Sequence, residues 1–92
     1  MKWIEKVMAQ EWLEEGGDTL YVDADLPSGD GDVSLWVKKY RFGWQWFADI
    51  DFDDGTHTSA QGDDKALDVA KQKSFKALSA LLGICGRAHE VD

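Results

Sequence analysis

Carboxylates recur at every second position in Trp44–Gly55, WQWFADIDFDDG: Asp49, Asp51 and Asp53, followed at once by Asp54. Acids at this density could serve a cation, acid–base catalysis or electrostatic docking. An EF-hand loop needs acids at positions 1, 3 and 5, glycine at 6 and glutamate at 12. Counted from Asp49, position 6 is Asp54, the glycine arrives one residue late as Gly55, and position 12 is Ala60. In an extended strand, moreover, alternate side chains point the same way without converging on an ion. Calcium binding is not expected.

Zinc fares no better. Cys85, His57 and His89 are available, but no CxxC or HxxxH pair supplies four converging ligands. Nucleophilic catalysis needs a Ser or Cys beside a base. Ser28 lacks a nucleophile elbow, and Cys85 near His89 lies in a stretch not expected to be held rigidly. No glycine-rich phosphate loop leads into a helix. The reading is of a protein that is not an enzyme and carries no metal or cofactor.

Docking remains. Trp44, Trp46, Ala48, Ile50 and Phe52 alternate with Gln45, Phe47, Asp49, Asp51 and Asp53, the pattern of a strand with one dry face and one wet face. On the wet face the aspartates lie ~6.6–6.8 Å apart with no lysine between them. Like charges so aligned repel, which selection for stability alone would avoid. With Asp23 and Asp25 from an earlier strand they would form an acidic array resembling a phosphate backbone, suited to a Lys/Arg surface built for nucleic acid. Phe47, among these acids, would anchor the contact. The plainer alternative is a solvated sheet face.

A second constellation is basic. Lys38, Lys39 and Arg41 interleave with Trp36, Tyr40, Phe42 and Trp44. Cations beside aromatics can hold phosphates and stack bases, so Lys38, Lys39, Tyr40 and Arg41 are candidate RNA contacts. The expected element order matches that of double-stranded-RNA-binding modules, but Asp63-Asp64 stands where those modules carry a basic helix start.

The elements that would position these groups follow from periodicity and punctuation. Lys2–Glu15 reads as an amphipathic helix stopped by Gly16-Gly17. Asp18–Leu26 alternates as a strand, Pro27–Asp32 reads as a mobile loop, and Val33–Tyr40 is the next strand. Arg41-Phe42-Gly43 turns the chain into Trp44–Asp53, and Thr56–Ala60 is a possible fourth strand at the sheet edge. Asp63-Asp64 marks the start of a helix to about Leu82, with Gly83 as its stop. Residues 85–92 read as a loosely ordered tail. The expectation is one α+β domain spanning residues 1–92: an antiparallel three- to four-stranded sheet with helices packed on one face, in the order α-β-β-β-(β)-α. The five tryptophans suggest an aromatic core.

The 92 residues carry 18 acids and 10 bases, a net charge of −8. No Lys or Arg occurs from Val7 to Val37 or from Phe42 to Asp64. Such a surface repels DNA and anionic membranes and attracts basic protein grooves. One cysteine excludes an internal disulfide, and no apolar run reaches membrane-spanning length. A cytoplasmic protein is expected.

In its size, acidity, tryptophan content and α/β layout the whole chain resembles the bacteriophage anti-CRISPR proteins that inhibit type I-F surveillance complexes. The resemblance implies a non-enzymatic inhibitor in the cytoplasm of an infected bacterium. It would bind Cas protein subunits and block target DNA, and Lys38-Lys39-Arg41 could touch guide RNA. It would bind neither membrane nor free DNA. That class is structurally diverse, and no site residues carry over from it.

Overall fold

Alternating apolar residues build a sheet, and one long amphipathic helix covers one of its faces. The computed structural model describes residues 2–87. The elements are α1 (Trp3–Met8), β1 (Leu13–Glu15), β2 (Thr19–Asp25), β3 (Gly31–Tyr40), β4 (Gly43–Phe52), β5 (His57–Asp64) and α2 (Leu67–Ile84). The five strands form one antiparallel meander, β1-β2-β3-β4-β5. Every connection is between neighbours, so no strand crosses the sheet. The fold is α+β, as the residue pattern implied.

The core lies between the sheet and α2, which packs against β3, β4 and β5. Val22, Val33, Leu35, Val37, Ala48 and Ile50 line the sheet side, and Ala70, Phe75, Leu78, Leu81 and Leu82 line the helix side. Buried Ser74 satisfies its hydroxyl by donating to the Lys71 carbonyl at 2.6 Å. The helix α1 contributes Val7 to this core, and Trp3 Nε1 donates to the Asp25 carbonyl at 3.0 Å. No described helix is long and apolar enough to cross a membrane.

Several expectations need correction. Among the described residues the core is aliphatic rather than aromatic: Phe75 is its only aromatic member, and no tryptophan is fully buried. Trp3 and Trp12 instead close its rim, with Trp12 edge-on to Phe75 at 5.8 Å. A small domain has little space for indoles, which are seldom fully buried. The first helix ends at Met8, because Leu13–Glu15 pairs with β2. Gly16 and Gly17, both at positive φ, make a hairpin turn there rather than a helix stop. The supposed mobile loop is tighter than expected. Leu26 N donates to the Gly31 carbonyl and Gly29 N to the Leu26 carbonyl, each at 2.9 Å, and Gly31 and Asp32 belong to β3.

The edge strand β5 runs through Asp63-Asp64, so α2 begins later than expected, at Leu67. Asp64 still serves the helix start: its carboxylate accepts from Ala66 N at 3.0 Å and from Lys73 Nζ at 2.8 Å. The stop is Gly86, not Gly83. Gly86 N donates to the Gly83 carbonyl and Arg87 N to the Leu82 carbonyl, a Schellman closure with Gly86 at φ 73. Of the supposed tail, Cys85–Arg87 is held in place. Arg87 pairs with Asp30, donates to Ser28 Oγ at 2.9 Å and lies 4.9 Å over the Phe52 ring. Residues 88–92, His89 among them, lie outside the described residues.

Candidate docking face

With α2 on one side, the other side of the sheet has no described element over it. Strand alternation decides which residues it presents, and strand register decides which of them are neighbours. Because opposite residues in an antiparallel ladder share a face, the open side reads as transverse rows. One row is Leu13–Tyr21–Trp36–Phe47–Gln61. The next is Asp23–Ser34–Asp49–Ser59, and beyond it lies Asp25–Asp32–Asp51–His57.

The two acidic rows hold five carboxylates and no Lys or Arg. Asp25, Asp32 and Asp51 stand abreast on three adjacent strands, each directly opposite the next. Such partners have Cβ atoms about 4.5–5.5 Å apart, and like charges there are destabilising. Burial, followed by the charge of Asp51, pushes the Asp49 carboxyl above the ordinary carboxylate value, although His57 and a Ser59 hydrogen bond pull the other way. Asp49 is half-buried while Asp23, Asp25, Asp32 and Asp51 are exposed.

Beside the acids runs the apolar row. Trp36 and Phe47 stack with centroids 5.0 Å apart and planes 15° from parallel. Leu13, at the row's end, is 52% exposed. A depression of ≈ 330 Å³ opens next to Trp36, lined by Glu15, Thr19, Tyr21, Asp23 and Ser34. The face is thus an aromatic ridge bordered by negative charge.

The expected site residues divide. Asp23, Asp25, Phe47, Asp49 and Asp51 come together on this face. Asp53 and Asp54 do not join the array, since β4 ends at Phe52 and both lie in the following turn. Asp53 N donates to the Asp30 carbonyl at 2.8 Å. Asp54 accepts from the Thr56 hydroxyl at 2.6 Å and the Thr56 amide at 2.9 Å, and these bonds hold its carboxyl below the usual range. Asp32 joins the array although Pro27–Asp32 reads as a loop in the sequence. The continued alternation Asp32–Ser34–Trp36 into β3 was the signal that would have found it.

The basic constellation is divided as well. Lys38 and Tyr40 face the open side, while Lys39 alternates to the other. The Tyr40 hydroxyl donates to Asp63 at 2.7 Å, and Arg41 lies 5.5 Å over the Phe42 ring at the β3–β4 turn. Among the described residues no group of three or more His, Cys, Asp or Glu is placed to hold a metal ion. Ser28 bonds within the Asp30–Arg87 cluster, and Cys85 is exposed.

No family model, curated protein or solved structure matches the chain.

Proposed function

We propose that this protein acts by binding rather than by catalysis, docking the open face of its sheet into a cationic, nucleic-acid-holding groove of a larger protein assembly. The observation that carries this reading is the alignment of Asp25, Asp32 and Asp51 across β2, β3 and β4. Their mutual repulsion weakens the free protein, and a partner's Lys or Arg side chains would relieve it. The stacked Trp36 and Phe47 supply the apolar contact that charge alone lacks, and aromatic and arginine groups are common carriers of interface energy.

The resemblance to type I-F anti-CRISPR proteins makes a Cas surveillance ribonucleoprotein in the bacterial cytoplasm the first partner to test. Such assemblies hold nucleic-acid backbones in positively charged channels. Occupying one would keep target DNA from pairing with the guide. In the decisive experiment, purified protein is titrated into a type I-F complex and target-DNA binding is followed by gel shift. Loss of DNA binding, restored by the Asp32→Lys/Asp51→Lys double variant, is expected. Unimpaired DNA binding with excess protein rejects this partner; equal inhibition by the double variant rejects the acidic face.

An RNA-binding role through Lys38, Lys39, Tyr40 and Arg41 draws on the β3–β4 tip, where Phe42 is 70% exposed beneath Arg41. It requires RNA binding by the protein alone, with affinity falling steeply as salt rises.

A further inference from the structure

The two edges of the sheet are defended unequally. The edge strand β1 is three residues long and carries Glu14 and Glu15. Short, charged edges resist pairing with other chains. At the opposite edge β5 runs for eight residues, HTSAQGDD, with no Lys, Arg or Pro and an unbroken register against β4.

The β4–β5 hairpin decides which backbone groups of β5 face outward. Phe52 N donates to the Thr56 carbonyl at 2.9 Å and Gly55 N to the Phe52 carbonyl at 3.0 Å, with Gly55 at φ 92. This is the bonding of a turn closed by a G1 bulge. Hydrogen-bonded pairs alternate along an antiparallel ladder, so Thr58, Ala60, Gly62 and Asp64 direct their backbone groups at β4. His57, Ser59, Gln61 and Asp63 direct theirs away from the sheet. Among the described residues no backbone group outside the β4–β5 ladder bonds them.

We propose that this edge pairs antiparallel with the same edge of a second copy, about a two-fold axis through Ala60, joining two five-stranded sheets into one. Only registers that set outward residue against outward residue make hydrogen bonds. The register that uses all four sets His57 opposite the partner's Asp63 and Ser59 opposite the partner's Gln61. Each end of the seam then carries an imidazole facing a carboxylate, and Tyr40 fixes that carboxylate by its 2.7 Å hydrogen bond. On the helix-covered side Ala60 meets the partner's Ala60, and Thr58 meets the partner's Gly62. The strand is therefore self-complementary, as a two-fold interface demands. The net charge of −8 opposes association, so added salt tightens the pairing. The pairing does not rest on what the open face binds, although His57 and Gln61 end two rows of that face.

The test is sedimentation equilibrium of the full chain over a concentration series at low and high salt. The expected result is a reversible shift from 10.3 kDa to twice that mass, at lower concentration in high salt. The Ser59→Pro/Gln61→Pro variant removes two outward N–H groups and leaves the β4 ladder intact, a placement edge strands tolerate. It should stay monomeric with the far-UV circular dichroism of the parent. Should it fail to fold, Ser59→Lys/Gln61→Lys sets lysine against lysine across the seam and should likewise be monomeric. His57→Glu should weaken the dimer at least about tenfold by facing two acids. A parent that stays monomeric at every concentration, or folded proline or lysine variants that dimerise as well as the parent, overturns the proposal.

Discussion

Trp36 on β3 and Phe47 on β4 are directly opposite and stack, centroids 5.0 Å apart, on the side of the sheet that α2 does not cover. Two large aromatic groups held against each other on an open surface are already ordered. A partner that lands on them loses little further side-chain entropy. Phe47→Ala should therefore lower partner affinity at least about tenfold. The stacking lost from the free protein is worth about 0.5–1.5 kcal/mol beyond area burial. Calorimetric titration beside thermal unfolding separates the two effects. A large fall in Tm with unchanged affinity would assign the pair to stability alone.

Asp32→Lys is expected to move stability and binding in opposite directions. It replaces one of three abreast carboxylates with a cation between Asp25 and Asp51. The gain should be about 0.2–1 kcal/mol per relieved pair, read as a Tm rise of a few degrees. Partner binding should fall. Loss of stability would contradict the repulsion inferred from the register.

Asp49 has a folded-state pKa above its unfolded value, chiefly through burial. Its contribution therefore favours folding below the unfolded pKa and is lost as pH rises through the folded one. Asp49→Asn should thus stabilise the protein at neutral pH and bring no gain in acid. Urea midpoints at neutral and acid pH measure this.

Asp30 behaves in the opposite sense. Arg87 and Ser28 hydrogen bonds hold its carboxyl down to about 2, against an ordinary 3.8. Its contribution is present above the unfolded value and disappears as pH falls through about 2. Asp30→Asn should lower the urea midpoint at neutral pH, with the difference from the parent closing in strong acid.

Gly62 on β5 lies under the indole of Trp46. A Cβ there would come within 2.5 Å of Trp46 Cζ2. Gly62→Ala should cost about 1–3 kcal/mol through displacement of the ring. Trp46 Nε1 is buried without a hydrogen-bond partner among the described groups. Trp46→Phe, which removes that donor, should cost less than the lost ring area implies. Denaturant unfolding ranks the two variants.

The strands β2, β3 and β4 were legible because alternation of apolar and polar residues is written into each one locally. The wet face expected of Phe47, Asp49 and Asp51, with Asp23 and Asp25 beside them, is the face left open. The errors fell at punctuation. Gly16-Gly17 serves equally as a helix stop or a hairpin turn, and only pairing of Leu13–Glu15 with β2 selects the second. Asp63-Asp64 suits a helix start as well as a strand end. Asp32 was lost because Pro27–Asp32 is uniformly rich in turn formers, and the point where β3 begins depends on the Leu26–Gly31 bond.

The sequence by itself determined which side chains share a face within a strand, since a period of two is a property of the extended backbone. It also determined the charge of that face. Only the tertiary structure decided which residues are neighbours across strands. That choice depends on where each hairpin turns, and a shift of one residue would have sent Asp32 to the core side. The abreast Asp25, Asp32 and Asp51, the Trp36–Phe47 stack and the outward backbone of β5 all follow from register, a relation between segments that no single segment contains.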